Sequence, residues 1–340
     1  MNIIKREAGS VNGQVVWSFE LTNDSGMSVT VLTLGGIISS LRVPISDGSV
    51  HECVKNLSTV SEYVDDESYL GALVGRYANR IGQGKFSDSG QEFTLDVNGG
   101  QHHLHGGYAG FHKKVWQAEA TEQADEVSVT LSLTSPDGEG GFPGNLRVDV
   151  TYTLTNNQTL ALTYSATTDK RTPFSLTQHS YFTLGAVSKM LSQELMLRAS
   201  AITDVDSTLL PTGRLLPVSG TAFDFTKGTT FAENMQNDTG LLTNTRGYDH
   251  NFVLGLRDAK QQPAATLYAP DTGLRMNLYT SLPGLQLYTG DIFNAESVQG
   301  TVCLEPQYFP DSVNQPDFPD CFISPAHPAT GFITYEFVTR

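Results

Sequence analysis

The chain has 340 residues, with 36 Asp and Glu against 21 Lys and Arg, a formal net charge of −15 and a pI near 4.8. That balance argues against nucleic acid and anionic membranes as partners, since both reward Lys and Arg, and it disfavours a phosphorylated substrate. The three cysteines, Cys53, Cys303 and Cys321, form no CxxC pair and no disulfide framework. This fits a reducing compartment, and with no apolar leader at residues 1–16 and no run of membrane-spanning length, a cytoplasmic protein is expected.

In chain order, residues 15–21, 28–34 and 37–43 are alternating or short apolar runs, broken by Gly35-Gly36 and closed by Pro44. They read as strands bounded by turns. Residues 59–69 are polar and acidic, a short helix or an irregular loop. Residues 86–95 read as a hairpin turning at Ser89-Gly90. Residues 115–120, 127–134 and 146–154 alternate, and Asn156-Asn157 marks a turn into 159–168. Further strands are expected at 194–199, 250–254, 264–268, 275–279, 284–289 and 331–338. No linker, low-complexity block or internal repeat interrupts them. The expectation is one all-β domain over residues 1–340, a large antiparallel β-sandwich.

Six segments carry candidate chemistry. In Cys303-Leu304-Glu305-Pro306-Gln307, Pro306 biases Glu305 towards an extended backbone, and on a strand Cys303, Glu305 and Gln307 share one face. No Lys or Arg occurs between Thr301 and Pro319, so Glu305 is either a general base with a tuned pKa or an ordinary strand-end acid. In Gly75-Arg76-Tyr77-Ala78-Asn79-Arg80-Ile81, the two arginines and Asn79 suit the hydroxyls of a polyol or, equally, structural ion pairs. Gln101-His102-His103-Leu104-His105-Gly106-Gly107 suggests a metal pair in His103 and His105. Against that, no acid follows nearby, and the double glycine points to a tight turn holding His105 at a pocket edge, with His102 and His103 solvated. His179 lies beside aromatics in His179-Ser180-Tyr181-Phe182, Asp249 precedes His250 at a strand start, and Gln286 and Tyr288 alternate onto one face of a strand. Each of these three also reads as ordinary strand or turn chemistry.

Together and in this order, Gly75-Arg76-x-Ala78-Asn79-Arg80-Ile81, Leu104-His105-Gly106-Gly107, His179-Ser180-Tyr181-Phe182, Asp249-His250-x-Phe252, Gly284-Leu285-Gln286-x-Tyr288-Thr289-Gly290 and Cys303-Leu304-Glu305-Pro306-Gln307 closely resemble the aldose 1-epimerase (galactose mutarotase) family. The resemblance runs from about Gly35 to the C-terminal strand and includes residues 111–116 and 140–144. It implies a β-supersandwich with the sugar in a cleft, and interconversion of α and β anomers of free hexoses such as galactose and glucose without cofactor or metal. By motif match it implies Glu305 as general base and His179 as general acid. Arg80, His105 and Asp249 would position the sugar, with Asn79 and Gln286 as further contacts. In so acidic a protein His179 is expected to hold its proton while Glu305 stays ionised. Gln178, Thr183, Tyr308 and Asp291 depart from the family pattern beside the proposed catalytic groups, which places hydroxyl recognition in question. The partner expected is a small free aldose, and the chain a monomer or homodimer. Two other readings remain: a hexose-6-phosphate 1-epimerase, which needs extra basic residues, and a non-catalytic carbohydrate-binding sandwich, which needs neither Glu305 nor His179.

Overall fold

A computed structural model of the chain describes residues 1–255, 258–290 and 300–339. Alternating apolar and polar side chains produce three principal antiparallel sheets. The largest has nine strands, in the order Gln117–Glu122, Glu126–Ser135, Leu146–Thr155, Thr159–Thr168, Ala329–Thr339, Leu274–Thr280, Ala265–Ala269, Glu194–Leu197 and Thr229–Thr230. A second, of five strands, runs in sequence order from Asn2–Val11 to Val50–Glu52. The third has six strands: Tyr181–Phe182, Val302–Gln307, Gly284–Tyr288, Asp249–Leu254, Ala199–Val205 and Pro211–Pro217.

Period-2 burial ties these sheets together. Every second residue of Leu146–Thr155 is buried, from Leu146 to Leu154. Those side chains join Val29 and Val31 of the five-stranded sheet and Leu285, Leu287, Val302 and Leu304 of the six-stranded sheet in one contiguous core. The all-β expectation therefore holds, as do the hairpins at Ser89-Gly90 and Asn156-Asn157. The expected strand at 194–199 divides into Glu194–Leu197, on the nine-stranded sheet, and Ala199–Val205, on the six-stranded one. Residues 59–69 form a short helix, Val60–Asp65, whose capping box pairs Thr59 with Glu62. An irregular segment then leads to Tyr69.

The six-stranded sheet is what positions the site. Leu285, Leu287, Val302 and Leu304 point into the main core, so the alternate residues Gln286, Tyr288, Cys303 and Glu305 point to the opposite face. Register then aligns them across strands: Asn251 pairs with Gln286 and Gln286 with Glu305, while Asp249 pairs with Tyr288 and Tyr288 with Cys303. Six residues from three strands are thus set in two adjacent rows by hydrogen-bond register.

Candidate active site

From these rows Asp249, Gln286 and Glu305 line a cleft of about 240 Å³, together with Asn79, Arg80, His105 and His179. All seven candidate residues of the sequence thus meet in one place. Glu67, Ser68, Tyr69, Leu104, Tyr181 and Tyr288 complete the lining.

The wall opposite the sheet is built by a pinch between two glycine-containing loops. Strand Arg80–Ile81 pairs with His103–Leu104, and Asn79 and His105 bond reciprocally. The His105 backbone N–H donates to Asn79 O at 3.0 Å, and the Asn79 N–H donates to His105 Nδ1 at 3.1 Å. Gly106, at φ +87°, makes the approach possible, since a Cβ there would stand 1.8 Å from Gly75 O. Because Nδ1 accepts, the neutral His105 ring carries its proton on Nε2. Burial and the neighbouring His179 hold its pKa well below the ordinary value.

Glu305 and His179 lie side by side. His179 Nε2 is 3.5 Å from Glu305 Oε2, and both side chains are almost completely buried. Among the described residues Glu305 Oε2 has no hydrogen-bond donor. Burial, reinforced by the Asp249 carboxylate, pushes the Glu305 carboxyl well above the usual carboxylate range. Desolvation lowers His179 to about 4. The expectation that His179 keeps its proton while Glu305 stays ionised is therefore reversed for the free cleft: the buried surroundings, not the net charge of the chain, set both groups towards their neutral forms.

Arg80 and Asp249 flank the pair. Arg80 Nη1 donates to Asn79 Oδ1 at 3.4 Å, a long bond that leaves most of the guanidinium facing the cleft. Asp249 is oriented by a relay in which Gln307 Nε2 donates to Gln286 Oε1 at 3.3 Å and Gln286 Nε2 donates to Asp249 Oδ1 at 2.6 Å. Gln307 was visible in the sequence only as a strand neighbour of Glu305. Tyrosines supply the apolar surface: Tyr181 lies 5.1 Å from the His179 ring at 24°, and Tyr69 lies 6.0 Å from it at 23°. The i, i+2 spacing from His179 could have pointed to Tyr181. Tyr69 sits at φ +57° in an irregular segment and carries no such signal.

The two arginines of the glycine-rich motif separate. Arg76 is buried outside the cleft, donating to Ser135 Oγ and to the carbonyls of Ser135, Pro136 and Pro143. It is structural, although its partners are backbone carbonyls more than acids. The histidine cluster separates too. His103 is fully buried, with Nδ1 on Asp96 O, and His102 is buried between the Gln83 N–H and Thr208 Oγ1. Neither is solvated, and neither joins His105 in a metal pair. A different trio does come together: His105, His179 and Glu305 place ligand atoms within 4.8 Å of one another. With His105 Nδ1 already accepting a hydrogen bond, only its Nε2 is left to face a ligand.

Three of the departures noted in the sequence, Gln178, Thr183 and Tyr308, lie off the cleft. Gln178 bridges Gly71 O and the Ser180 N–H, the Thr183 hydroxyl donates to Gly185 O, and Tyr308 packs beside the Tyr77–Phe86 cluster. Asp291 is outside the described residues.

The family model described as aldose 1-epimerase matches residues 18–335. The chain belongs to the aldose 1-epimerase family. It is 36% identical over 340 residues to the aldose 1-epimerase of Escherichia coli K12, covering 97% of each chain. It is 38% identical to the galactose mutarotase of Mus musculus, over 92% of this chain and 91% of that one. The solved structure of galactose 1-epimerase from Lactobacillus acidophilus superposes with a TM-score of 0.88 at 27% identity, covering 100% of this chain and 99% of the other. This epimerase thus shares fold and length with its relatives, and no helix among its described residues is long and apolar enough to cross a membrane.

Proposed function

We propose that this epimerase interconverts the α and β anomers of free aldohexoses such as galactose and glucose, with Glu305 as general base and His179 as general acid. The observation that carries the roles is the 3.5 Å pairing of the two side chains in the cleft. Ring opening needs a proton taken from the anomeric hydroxyl while another is delivered to the ring oxygen, so two adjacent groups of opposite duty are required. Glu305 accepts the O1 proton, the C1–O5 bond breaks and His179 protonates O5. The open-chain aldehyde rotates about C1–C2, and closure on the other face returns both protons.

Burial favours a protonated Glu305 beside a neutral His179. The productive form, carboxylate and imidazolium, holds the same number of protons and differs by one transfer across the pair. Sugar hydroxyls donating to Glu305, and Arg80 nearby, favour that form once substrate fills the cleft. Arg80, His105 and Asp249, with Asn79 and Gln286, supply donors and acceptors for the remaining hydroxyls.

A neutral substrate is favoured over a sugar phosphate because Arg80 is the one Lys or Arg lining the cleft among the described residues, facing the acids Glu67, Asp249 and Glu305. A binding module would have no use for a desolvated acid–base pair. The same proposal takes residues 1–340 as a single domain and places the protein in the cytoplasm.

Polarimetry tests it. Freshly dissolved α-galactose and α-glucose should reach anomeric equilibrium faster with the protein, at a rate EDTA does not change. No acceleration on any free aldose would leave the binding module ahead, and a rate lost to EDTA and restored by zinc would make the His105, His179 and Glu305 trio a metal centre.

A further inference from the structure

The segment that follows Glu305 is tied to the one that carries Arg80. Beyond strand Val302–Gln307 the chain passes through Phe309-Pro310-Asp311 into the short turn Ser312–Asn314, and Tyr77, Arg80 and Gly82 each bond to it. The buried Tyr77 hydroxyl donates to Phe309 O at 2.9 Å and accepts the Ser312 N–H at 3.0 Å. The Asp311 N–H donates to Arg80 O at 2.8 Å. The Gly82 N–H donates to Asp311 Oδ1, also at 2.8 Å.

The last two bonds belong to one residue and bracket the Arg80 backbone. Asp311 holds the Arg80 carbonyl with its main chain and the Gly82 amide with its side chain, while the Arg80 N–H donates to Asn79 Oδ1 at 2.9 Å. Asp311 stands at φ +58°, left-handed backbone that Asp and Asn tolerate better than most side chains. Its carboxylate is aimed as well: Asn314 Nδ2 donates to Oδ1 at 2.6 Å and Gln315 Nε2 to Oδ2 at 3.4 Å. The residue is only 2% exposed, and N–H donors on both oxygens are what a carboxylate kept from water requires. Bonds to a charged acceptor are also stronger than neutral ones.

We propose that Asp311 is a positioning residue for the reaction: it fixes the Arg80 backbone, and through it the guanidinium, relative to Glu305 just upstream on the same segment. The proposal rests on the anomer-interconverting function above. Asp311 does not line the cleft, so it acts through Arg80. The guanidinium is held among the described residues by the long bond to Asn79 Oδ1, which leaves its place to be set by its backbone. A fixed backbone loses little freedom when sugar binds. Once loosened, it spreads the guanidinium over positions of which only a fraction meets the sugar, and apparent affinity falls by that fraction.

Steady-state polarimetry on α-galactose and α-glucose tests the role. Asp311→Gly adopts the left-handed backbone freely, keeps the N–H and removes the carboxylate. Its KM should rise about two- to tenfold, the span of one buried hydrogen bond, with kcat changed less. Asp311→Asn, which keeps Oδ1, should fall between wild type and Asp311→Gly. Asn314→Asp, at an exposed position, turns a donor on Oδ1 into a like charge and should raise KM in the same way, so it carries the test if Asp311→Gly does not fold. In an Arg80→Ala background neither change should raise KM further. Wild-type KM in the folded variants, or an equal rise with and without Arg80, overturns the positioning role and leaves the basic function standing. No acceleration of either sugar by the wild-type protein overturns the function itself.

Discussion

His179 Nε2 stands 3.5 Å from Glu305 Oε2, with both side chains buried, so a single proton can pass between them within the cleft. The two residues come from strand Val302–Gln307 and from the segment between Thr177–Gln178 and Tyr181–Phe182, which pairs with that strand through Tyr181–Cys303 and Phe182–Val302. The pairing is thus fixed by sheet register and not by a mobile loop.

Replacing either member should remove a proton-transfer role worth about 10²–10⁴-fold in rate. Glu305→Gln and His179→Asn are both expected to lose kcat by at least about a hundredfold, with the β-sheet circular dichroism spectrum unchanged. The double variant should be little slower than either single one, because the two act as a unit. Wild-type turnover by either folded variant would remove the acid–base assignment.

Arg80 plays a different part. Its guanidinium lines the cleft, braced among the described residues by the 3.4 Å bond to Asn79 Oδ1. Contacts to sugar hydroxyls remote from C1 exist in the ground state as well as the transition state, so Arg80→Ala should raise KM at least as much as it lowers kcat. Steady-state kinetics on galactose checks this. A pure kcat loss with KM unchanged would place Arg80 at the reacting centre instead.

How far the sequence reached depends on what each residue answers to. Strand alternation exposed Glu305 and Gln286, because period 2 fixes the face of a strand residue from its neighbours. The N-terminal strand Asn2–Val11 escaped notice because its side chains are only partly buried or exposed, so Lys5, Arg6 and Glu7 break any apolar rhythm. Tyr69 escaped because it sits in left-handed backbone beyond a short helix, where no periodicity applies. The protonation of the pair was misjudged because a net charge of −15 acts through solvent, whereas desolvation acts on the buried groups directly. The arginines of one motif divided because Arg76 is held by Ser135, Pro136 and Pro143 while Arg80 lines the cleft, a difference that only tertiary contacts create.

The departures from the family pattern supply a stability prediction rather than a specificity one. Gln178 spans from Gly71 O, at 2.6 Å, to the Ser180 N–H, at 2.8 Å. Asn is one methylene shorter and cannot reach both, so Gln178→Asn should cost about 1–3 kcal/mol by leaving a buried backbone group unpaired. Since none of Gln178, Thr183 and Tyr308 lines the cleft, Gln178→Asn, Thr183→Asn and Tyr308→His should each keep the galactose-to-glucose ratio of kcat/KM within about twofold. Denaturant unfolding and paired kinetics read the two effects separately. A large change in sugar ranking would show that these positions act on the cleft through the backbone.

Acid sensitivity follows from the histidines. Burial lowers His103, His179 and His250 to about 4 and His112 to about 3, and holds His105 well below its ordinary value. Each is neutral when folded and takes up a proton on unfolding once the pH is below the unfolded value of about 6.5. Their contribution is therefore fully present above about pH 6.5 and is lost as the pH falls towards 4, by up to about 1.4 kcal/mol per pH unit for each histidine. Glu305 has the opposite sign. Its raised pKa means the folded state holds a proton that the unfolded state has released, so its contribution declines as pH rises from about 4.5 towards the folded value. Urea unfolding between pH 7 and pH 5 should show stability falling with acid, and Glu305→Gln should make that fall steeper by removing the opposing group. A flat profile in wild type, or a shallower one in Glu305→Gln, would mean that these buried groups are not neutral in the folded protein.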